Sequence, residues 1–441
     1  MKKFVLLLAT SLLAFGVGCC GLRSCSQGAY AFEGDDPGEC DDKADNNRDG
    51  LFDCNDPGCA GSNVCMAPTA TGDAVGQKTA GADTVPTVSP GAGTGTAVKA
   101  TPVNNTVKVP PGKGWLNTKG NKIVYENGDV FRGRGANVHD TRSCGACWSP
   151  NVNGVKRRID ELVDIWGANF LRLCLESHEA KSNAVNDAKY MQDVIEIVEH
   201  IGKKKGVYVL VSLWWDTTVD THPLRIPHPA VTPIWEHLTE KLAKYPFVMF
   251  GLVNEPRGKH STDDVEIDAN DVEVWESMNN TVAAIRAVEA RVGSPRHIIA
   301  VQGTRAYGKF LQYYVNHPIT ADGGKNIAYE VHVYYGNDGD KWEKRWKIPS
   351  RKLPVIIGEF AELYESWDTL SLQDCDKLSM EAEKLDVPWL AWTFHTNCGN
   401  PLITASNNCE TNVTITPSKG WGQLIYNRLH KPWGSQESAL P

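Results

Sequence analysis

Residues 247–256 read FVMFGLVNEP and residues 354–360 read PVIIGEF. Each is a short apolar run that breaks off in a carboxylate, Glu255 in the first and Glu359 in the second. Apolar runs of this length, rich in Val, Ile and Phe, read as strands buried on both faces. Further runs of the same kind fall at 130–137, 168–175, 207–214, 297–303, 327–334 and 389–394. Helical patterns lie between them, the clearest at 188–201, where Met191, Val194, Ile195, Val198 and Ile201 form one stripe. Eight strands, each followed by a helix or long loop, predict an α/β fold of the (β/α)8 TIM-barrel kind over residues 111–435. A doubly wound nucleotide-binding sheet is excluded, because GRGANVHD after the first strand lacks the G-x-G-x-x-G spacing.

Upstream of the barrel the composition changes twice. Residues 66–110 are a linker in which 36 of 45 positions are Ala, Gly, Thr, Val, Pro or Ser, so nothing there offsets the entropy of ordering. Residues 33–65 form a small Cys- and Asp-rich module with Cys40, Cys54, Cys59 and Cys65, too poor in apolar residues for a core without disulfides or a metal. Within it Asp45, Asn47, Asp49, Asp53 and Asp56 fall at positions 1, 3, 5, 9 and 12 of a calcium-type loop, with Gly50 at position 6. A Ca2+ ion is therefore a candidate ligand of this module, against the plainer reading of a solvated acidic turn.

The N-terminus reads as an export signal: Lys2 and Lys3 precede an apolar run from Phe4 to Val17. Residues 1–19 fit a lipoprotein-type signal with a lipid anchor at Cys19, and Ala29-Tyr30-Ala31 offers an alternative cleavage site after residue 31. Either route predicts an exported protein, at the cell surface or secreted, where disulfides are permitted. The chain has 13 Cys. Cys398 and Cys409 flank one loop and are expected to pair, Cys144 and Cys147 lie close together, and Cys174 is expected as a buried thiol inside the barrel, leaving Cys375 unpaired.

Net charge is −8, and residues 33–56 account for all of it with ten acids against Lys43 and Arg48. The remaining 43 acids and 43 bases balance, so no basic stripe exists for nucleic acid. A monomer is expected.

Catalytic groups of such a barrel sit at the C-terminal ends of its strands. Those ends carry Asn137 and His139, Arg172, Trp214 and Trp215, Asn254 and Glu255, His332 and Tyr334, Glu359, and Trp392. Two carboxylates facing each other across a barrel mouth supply the proton donor and nucleophile that glycosidic cleavage needs, and rim aromatics suit the apolar faces of sugar rings. Glu330 and Glu176 are the rival acids. Trp342, Trp346, Trp148 and Trp367 fall in loops near the mouth and are further subsite candidates, whereas Trp115, Trp166 and Trp275 read as packing residues. His222 and His228, after the third strand, read equally as cleft or surface residues.

The segments RGRGANVH, FLRLCLES, KYPFVMFGLVNEP, IAYEVHVYY, LPVIIGEF and WLAWTF, in this order and spacing, resemble glycoside hydrolase family 5, the cellulases and mannanases. The resemblance implies a retaining endo-β-glycanase acting on β-1,4-linked polysaccharide, with a polysaccharide or oligosaccharide as partner and no cofactor for catalysis. By position, it implies Glu255 as acid/base, Glu359 as nucleophile and Asn254 as the contact for the sugar 2-hydroxyl. Arg172 and Tyr334 are implied as contacts of the nucleophile, His332 as a group lining the site near the acid/base, and Trp392 as the floor of a subsite. Arg172 and Tyr334 are expected to favour the charged form of Glu359. The pattern departs at Trp214, where many members carry His, so the resemblance leaves cellulose, mannan and mixed-linkage glucan open, along with transglycosylation and a noncatalytic glycan-binding role.

Overall fold

The computed structural model describes residues 114–142, 151–177, 182–257, 269–364, 369–396, 398–404 and 414–441. The chain falls into two compact units, Met1–Ala100 and Thr101–Pro441, and all described residues belong to the second. The signal at 1–19, the module at 33–65 with its calcium loop, the linker at 66–110, and Cys144, Cys147, Trp148, Trp367 and Cys409 lie outside the described residues.

Eight parallel strands close into a barrel: β1 (Arg134–His139), β2 (Phe170–Glu176), β3 (Tyr208–Trp215), β4 (Val248–Gly251), β5 (Ile299–Gln302), β6 (Ile327–Val333), β7 (Val355–Phe360) and β8 (Trp389–Ala391). Each strand pairs with its sequence neighbours, and β8 returns to β1 through Trp389 with Arg134, Leu390 with Gly135 and Ala391 with Ala136. All eight predicted runs are strands. The first begins later than expected, because the Phe131 amide donates to the Ile123 carbonyl (2.9 Å) and the barrel pairing with β8 starts at Arg134.

The helix Ala188–Gly202 illustrates how the outer ring is held. Asp187 caps it, accepting from the Tyr190 amide, and Met191, Val194, Ile197, Val198 and Ile201 are buried. Each such side chain contributes about 1.5–3 kcal/mol by leaving water. Ile195, expected on the stripe, is only partly buried; Ile197 takes its place.

A hairpin of Leu116–Lys119 with Lys122–Tyr125, not anticipated from the sequence, packs at the N-terminal end of the barrel. Its Thr118 amide donates to Asn326 Oδ1 (3.0 Å), just ahead of β6, and Tyr125 joins an aromatic cluster with Phe131, Phe170 and Tyr208.

The ladders slip twice, both times at the mouth. Between β2 and β3, Leu175 pairs with Leu213 but Glu176 with Trp215, so Trp214 is the extra residue. Between β6 and β7, Val331 pairs with Ile357 but His332 with Glu359, so Gly358 is extra. Side chains alternate along a strand, so a one-residue bulge turns the next side chain to the other face. The second bulge sets Glu359 beside His332 on the inner face.

Candidate active site

A cleft of about 340 Å³ opens at the C-terminal mouth, lined by Trp214, Trp215, Arg225, Asn254, Glu255, Tyr334, Glu359, Trp392 and Asn400. Seven of these were read from the strand ends. Beneath them, wholly out of solvent, lie Asn137, His139, Arg172 and His332. Asn137 and His139, read from the first strand end, lie below the cleft lining. Asn137 Nδ2 donates to the carbonyls of Gly358 (3.0 Å) and Ala391 (3.2 Å), and its Oδ1 accepts from Arg172 (3.0 Å). His139 packs edge-on under Trp214 and Trp392, both at 5.1 Å.

Glu359 is held from two sides. Arg172 Nη1 donates to Oε1 at 2.7 Å, and the Tyr334 hydroxyl donates to Oε2 at 2.9 Å. Arg172 Nη2 donates to Asn254 Oδ1 at 2.8 Å, which ties the residue before Glu255 to the same guanidinium. Burial pushes the Glu359 carboxyl up from its usual range, while His332 and Arg172 pull it down and Glu255 adds to the rise. The net direction is upward. Arg172 and Tyr334 favour the charged form of Glu359, as expected, and burial opposes them.

Glu255 is the more open carboxyl, its side chain 22% exposed. Its backbone sits at φ +56°, a left-handed conformation that costs a non-glycine residue about 1–3 kcal/mol and is typical of functional positions. The Gln302 side chain holds it there, Oε1 accepting from the Glu255 amide at 2.5 Å. His332 Nδ1 lies 2.9 Å from Glu255 Oε1 and 3.5 Å from Glu359 Oε2. Burial alone would lower the His332 pKa, but Glu359, Glu255 and Glu330 outweigh it and lift the ring to about 9. One oxygen of Glu255, one of Glu359 and a nitrogen of His332 all lie within 4.8 Å of one another.

The aromatic wall is continuous. Trp214 stacks on Trp392 with centroids 5.4 Å apart and planes at 28°, and Trp215 meets Trp214 edge-on at 5.7 Å. Trp215 Nε1 donates to Asp220 Oδ2 at 2.7 Å, and Asp220 Oδ1 pairs with Arg225 at 2.6 Å.

Three contributors escaped the sequence reading. Arg225 and Asn400 lie on loops with no strand-end signal. Gln302 ends β5, and the same strand-end rule applied to HIIAVQG would have found it. The rival acids are otherwise engaged. Glu176 is buried and outside the cleft lining, and Glu330 lies fully buried between Arg172 and His332. Trp342 and Trp346 are core residues, not subsites, because Trp342 Nε1 reaches the Tyr335 carbonyl (2.8 Å) and both rings are buried. His222 and His228 pack against each other at 5.5 Å and are absent from the cleft lining. Cys174 and Cys375 carry buried thiols, as expected, and burial pushes both upward. Cys398 is buried and is not one of these thiols.

Residues 124–397 match the family model of the cellulases, glycosyl hydrolase family 5. Among solved structures, the chain is similar to the catalytic domain of endoglucanase Cel5A of Thermobifida fusca, at 18% identity and a TM-score of 0.57, over 72% of this chain and 98% of that one. It is also similar to a β-glucanase from Saccharophagus degradans in complex with cellotetraose, at 19% identity and a TM-score of 0.55, over 73% and 95% of the two chains. A β-mannanase from Streptomyces thermolilacinus with mannohexaose aligns at 19% identity and a TM-score of 0.52, over 74% and 97%. At such identities the structural likeness speaks for the fold, and the family model, spanning more than half of the sequence, speaks for kinship. The chain therefore belongs to the cellulases of glycosyl hydrolase family 5 and is a glycosidase.

Proposed function

We propose that the protein is a retaining endo-β-glycanase that hydrolyses β-1,4-linked polysaccharide of the glucan type, with Glu359 as nucleophile and Glu255 as acid/base. The observation that carries this reading is the spacing of the two carboxyls, whose nearest oxygens fall within 4.8 Å. Retaining enzymes hold their carboxyls about 5–5.5 Å apart, whereas inverting ones need about 6.5–9.5 Å to admit a water.

In the first step a Glu359 oxygen bonds to the anomeric carbon while the glycosidic C–O bond breaks and Glu255 gives its proton to the departing oxygen. Arg172 and Tyr334 hold the Glu359 carboxylate in place, and Asn254, its Oδ1 occupied by Arg172, presents Nδ2 to the sugar 2-hydroxyl. The carboxylate left on Glu255 faces His332 at 2.9 Å. In the second step Glu255 takes a proton from water, the water oxygen bonds to the anomeric carbon, and the ester bond to Glu359 breaks. Two inversions give net retention. Trp214, Trp215 and Trp392 supply the apolar wall for sugar faces. Export through the N-terminal signal, with a lipid anchor at Cys19 or cleavage after residue 31, belongs to the same proposal and is supported by the sequence pattern alone.

The test is reducing-sugar release on carboxymethylcellulose, mixed-linkage glucan, glucomannan, galactomannan, xylan and laminarin, with Glu255→Gln and Glu359→Gln in parallel. Activity on glucans that both variants lose, with a β-configured product by NMR, is expected. Azide with an activated aryl β-glycoside separates the roles: Glu359→Ala should yield an α-glycosyl azide and Glu255→Ala a β-glycosyl azide. An inverted product, or full activity in either Gln variant, overturns the mechanism. Release from galactomannan alone keeps the mechanism and makes mannan the substrate.

A further inference from the structure

Under the cleft lies a charged group that the two-carboxyl chemistry does not use. Glu330, on β6, is fully buried, and its Oε1 stands 3.0 Å from Arg172 Nε and 3.2 Å from His332 Nε2. Each of these cations turns its far side to one member of the reacting pair. Arg172 reaches Glu359 through Nη1 at 2.7 Å, and His332 reaches Glu255 through Nδ1 at 2.9 Å. One carboxylate thus backs both cations. Space for it exists because position 358 is glycine: a Cβ there would stand 2.0 Å from Glu330 Oε1.

A buried carboxylate is costly unless opposite charges surround it, and an apolar side chain would fill this layer of the barrel at lower cost. Burial raises the Glu330 carboxyl, but Arg172, His332 and Gln302 together bring it below its usual range, so it stays an anion. The groups facing His332 are Glu255 after β4, Gln302 on β5, Glu330 on its own strand, Tyr334 beside it, Glu359 on β7, and Arg172 across the barrel on β2. Three carboxyls, those of Glu255, Glu359 and Glu330, thus surround the two cations Arg172 and His332. Removing the Glu330 charge takes away the anion behind both cations, and the imidazolium proton is the one that can leave.

We propose that Glu330 is a positioning residue of the glycosidase reaction, a buried counter-anion that holds Arg172 against Glu359 and keeps His332 an imidazolium with Nδ1–H turned to Glu255. The inference rests on the reading of Glu255 and Glu359 as the reacting pair. Its consequence is that Nδ1 of His332 carries a proton through the working pH range, and that Nε2, 3.0 Å from Gln302 Nε2 as well as 3.2 Å from Glu330 Oε1, keeps its proton only while Glu330 is charged. Glu255 then always faces a hydrogen-bond donor, before and after it gives up its own proton.

The test uses the full-length enzyme labelled with 15N-histidine, with the His332 signal assigned by its loss in His332→Asn. In the unmodified enzyme both His332 nitrogens should report the protonated state at pH 7 and titrate only above pH 8. In Glu330→Gln, which keeps shape and loses charge, His332 should be neutral at pH 7. There kcat should fall about 10²-fold with KM within about 3-fold, and the alkaline limb of kcat/KM should move down by a pH unit or more. Glu330→Asp, which keeps the charge, should recover part of kcat. A Glu330→Gln enzyme with unchanged kcat and pH profile overturns the proposal. So does a neutral His332 in the unmodified enzyme at pH 7, a result that stands even if Glu330→Gln fails to fold. Full activity in Glu255→Gln or Glu359→Gln would instead sink the reading of the reacting pair, and the His332 spectrum would still report the charge state separately.

Discussion

Arg172 Nη1 stands 2.7 Å from Glu359 Oε1 with both side chains almost wholly excluded from solvent. The same guanidinium serves Asn137, Asn254 and Glu330, so its planar fork matters as much as its charge. Arg172→Ala strands two buried carboxylates and should cost about 3–5 kcal/mol of stability in urea unfolding. Arg172→Lys keeps the charge but cannot span the four acceptors. It should stay folded with kcat down about 10²-fold or more, read on any substrate the enzyme turns over.

Gly358→Ala should be damaging although it adds one methyl group. The new Cβ would stand 2.0 Å from the Glu330 carboxylate, and overpacking of a tight core costs about 1–3 kcal/mol. Urea midpoints and kcat should both fall. A variant with the stability and rate of the parent would mean that the bulge relaxes freely.

Trp214 stacks on Trp392, and such pairs contribute about 0.5–1.5 kcal/mol beyond area burial. Trp214→Ala should therefore raise KM for oligosaccharides several-fold to about 10-fold while kcat changes less than about 3-fold. A large fall in kcat at constant KM would show that the ring orients the sugar for attack.

Two buried histidines set opposite limits on pH stability. His332 is lifted to about 9 against an unfolded value of about 6.5. Its contribution, about 3 kcal/mol, is complete below pH 6.5 and is lost as pH rises to 9. His395 is depressed to about 3 by burial and by the Arg158 charge. Its contribution is complete above pH 6.5 and is lost as pH falls toward 3. Unfolding free energy measured from pH 4 to 9 should peak between these limits. His395→Gln should flatten the acid side and His332→Gln the alkaline side.

All eight strands were legible because each is an apolar run ended by turn signals, and a parallel strand covered on both faces has no other appearance. The hairpin at 116–125 was missed although Gly120-Asn121 sits between its strands, because four residues a side carry too little pattern. Glu255 and Glu359 were legible as strand ends. The depth of the others was not: Asn137 and His139 share that signal with Asn254 and Trp392, and only the register of neighbouring strands decides which reach the cleft. Trp342 and Trp346 looked like rim aromatics because they follow β6, and the helical turn that folds them inward leaves little trace in composition.

The barrel ring closes only where β8 meets β1, and Asn137 on β1 draws its partners from β2, β7 and β8. Arg172 and Glu359, 187 residues apart, meet only once that seam has formed. Refolding must search out these distant pairings, which makes it slow relative to helical proteins of equal size. A chain that has made most of its helices and strands but not the seam has neither the Arg172–Glu359 pair nor a neutralised interior. The return of catalysis during refolding should therefore lag the return of secondary structure, and turnover becomes a clock for the last step of assembly.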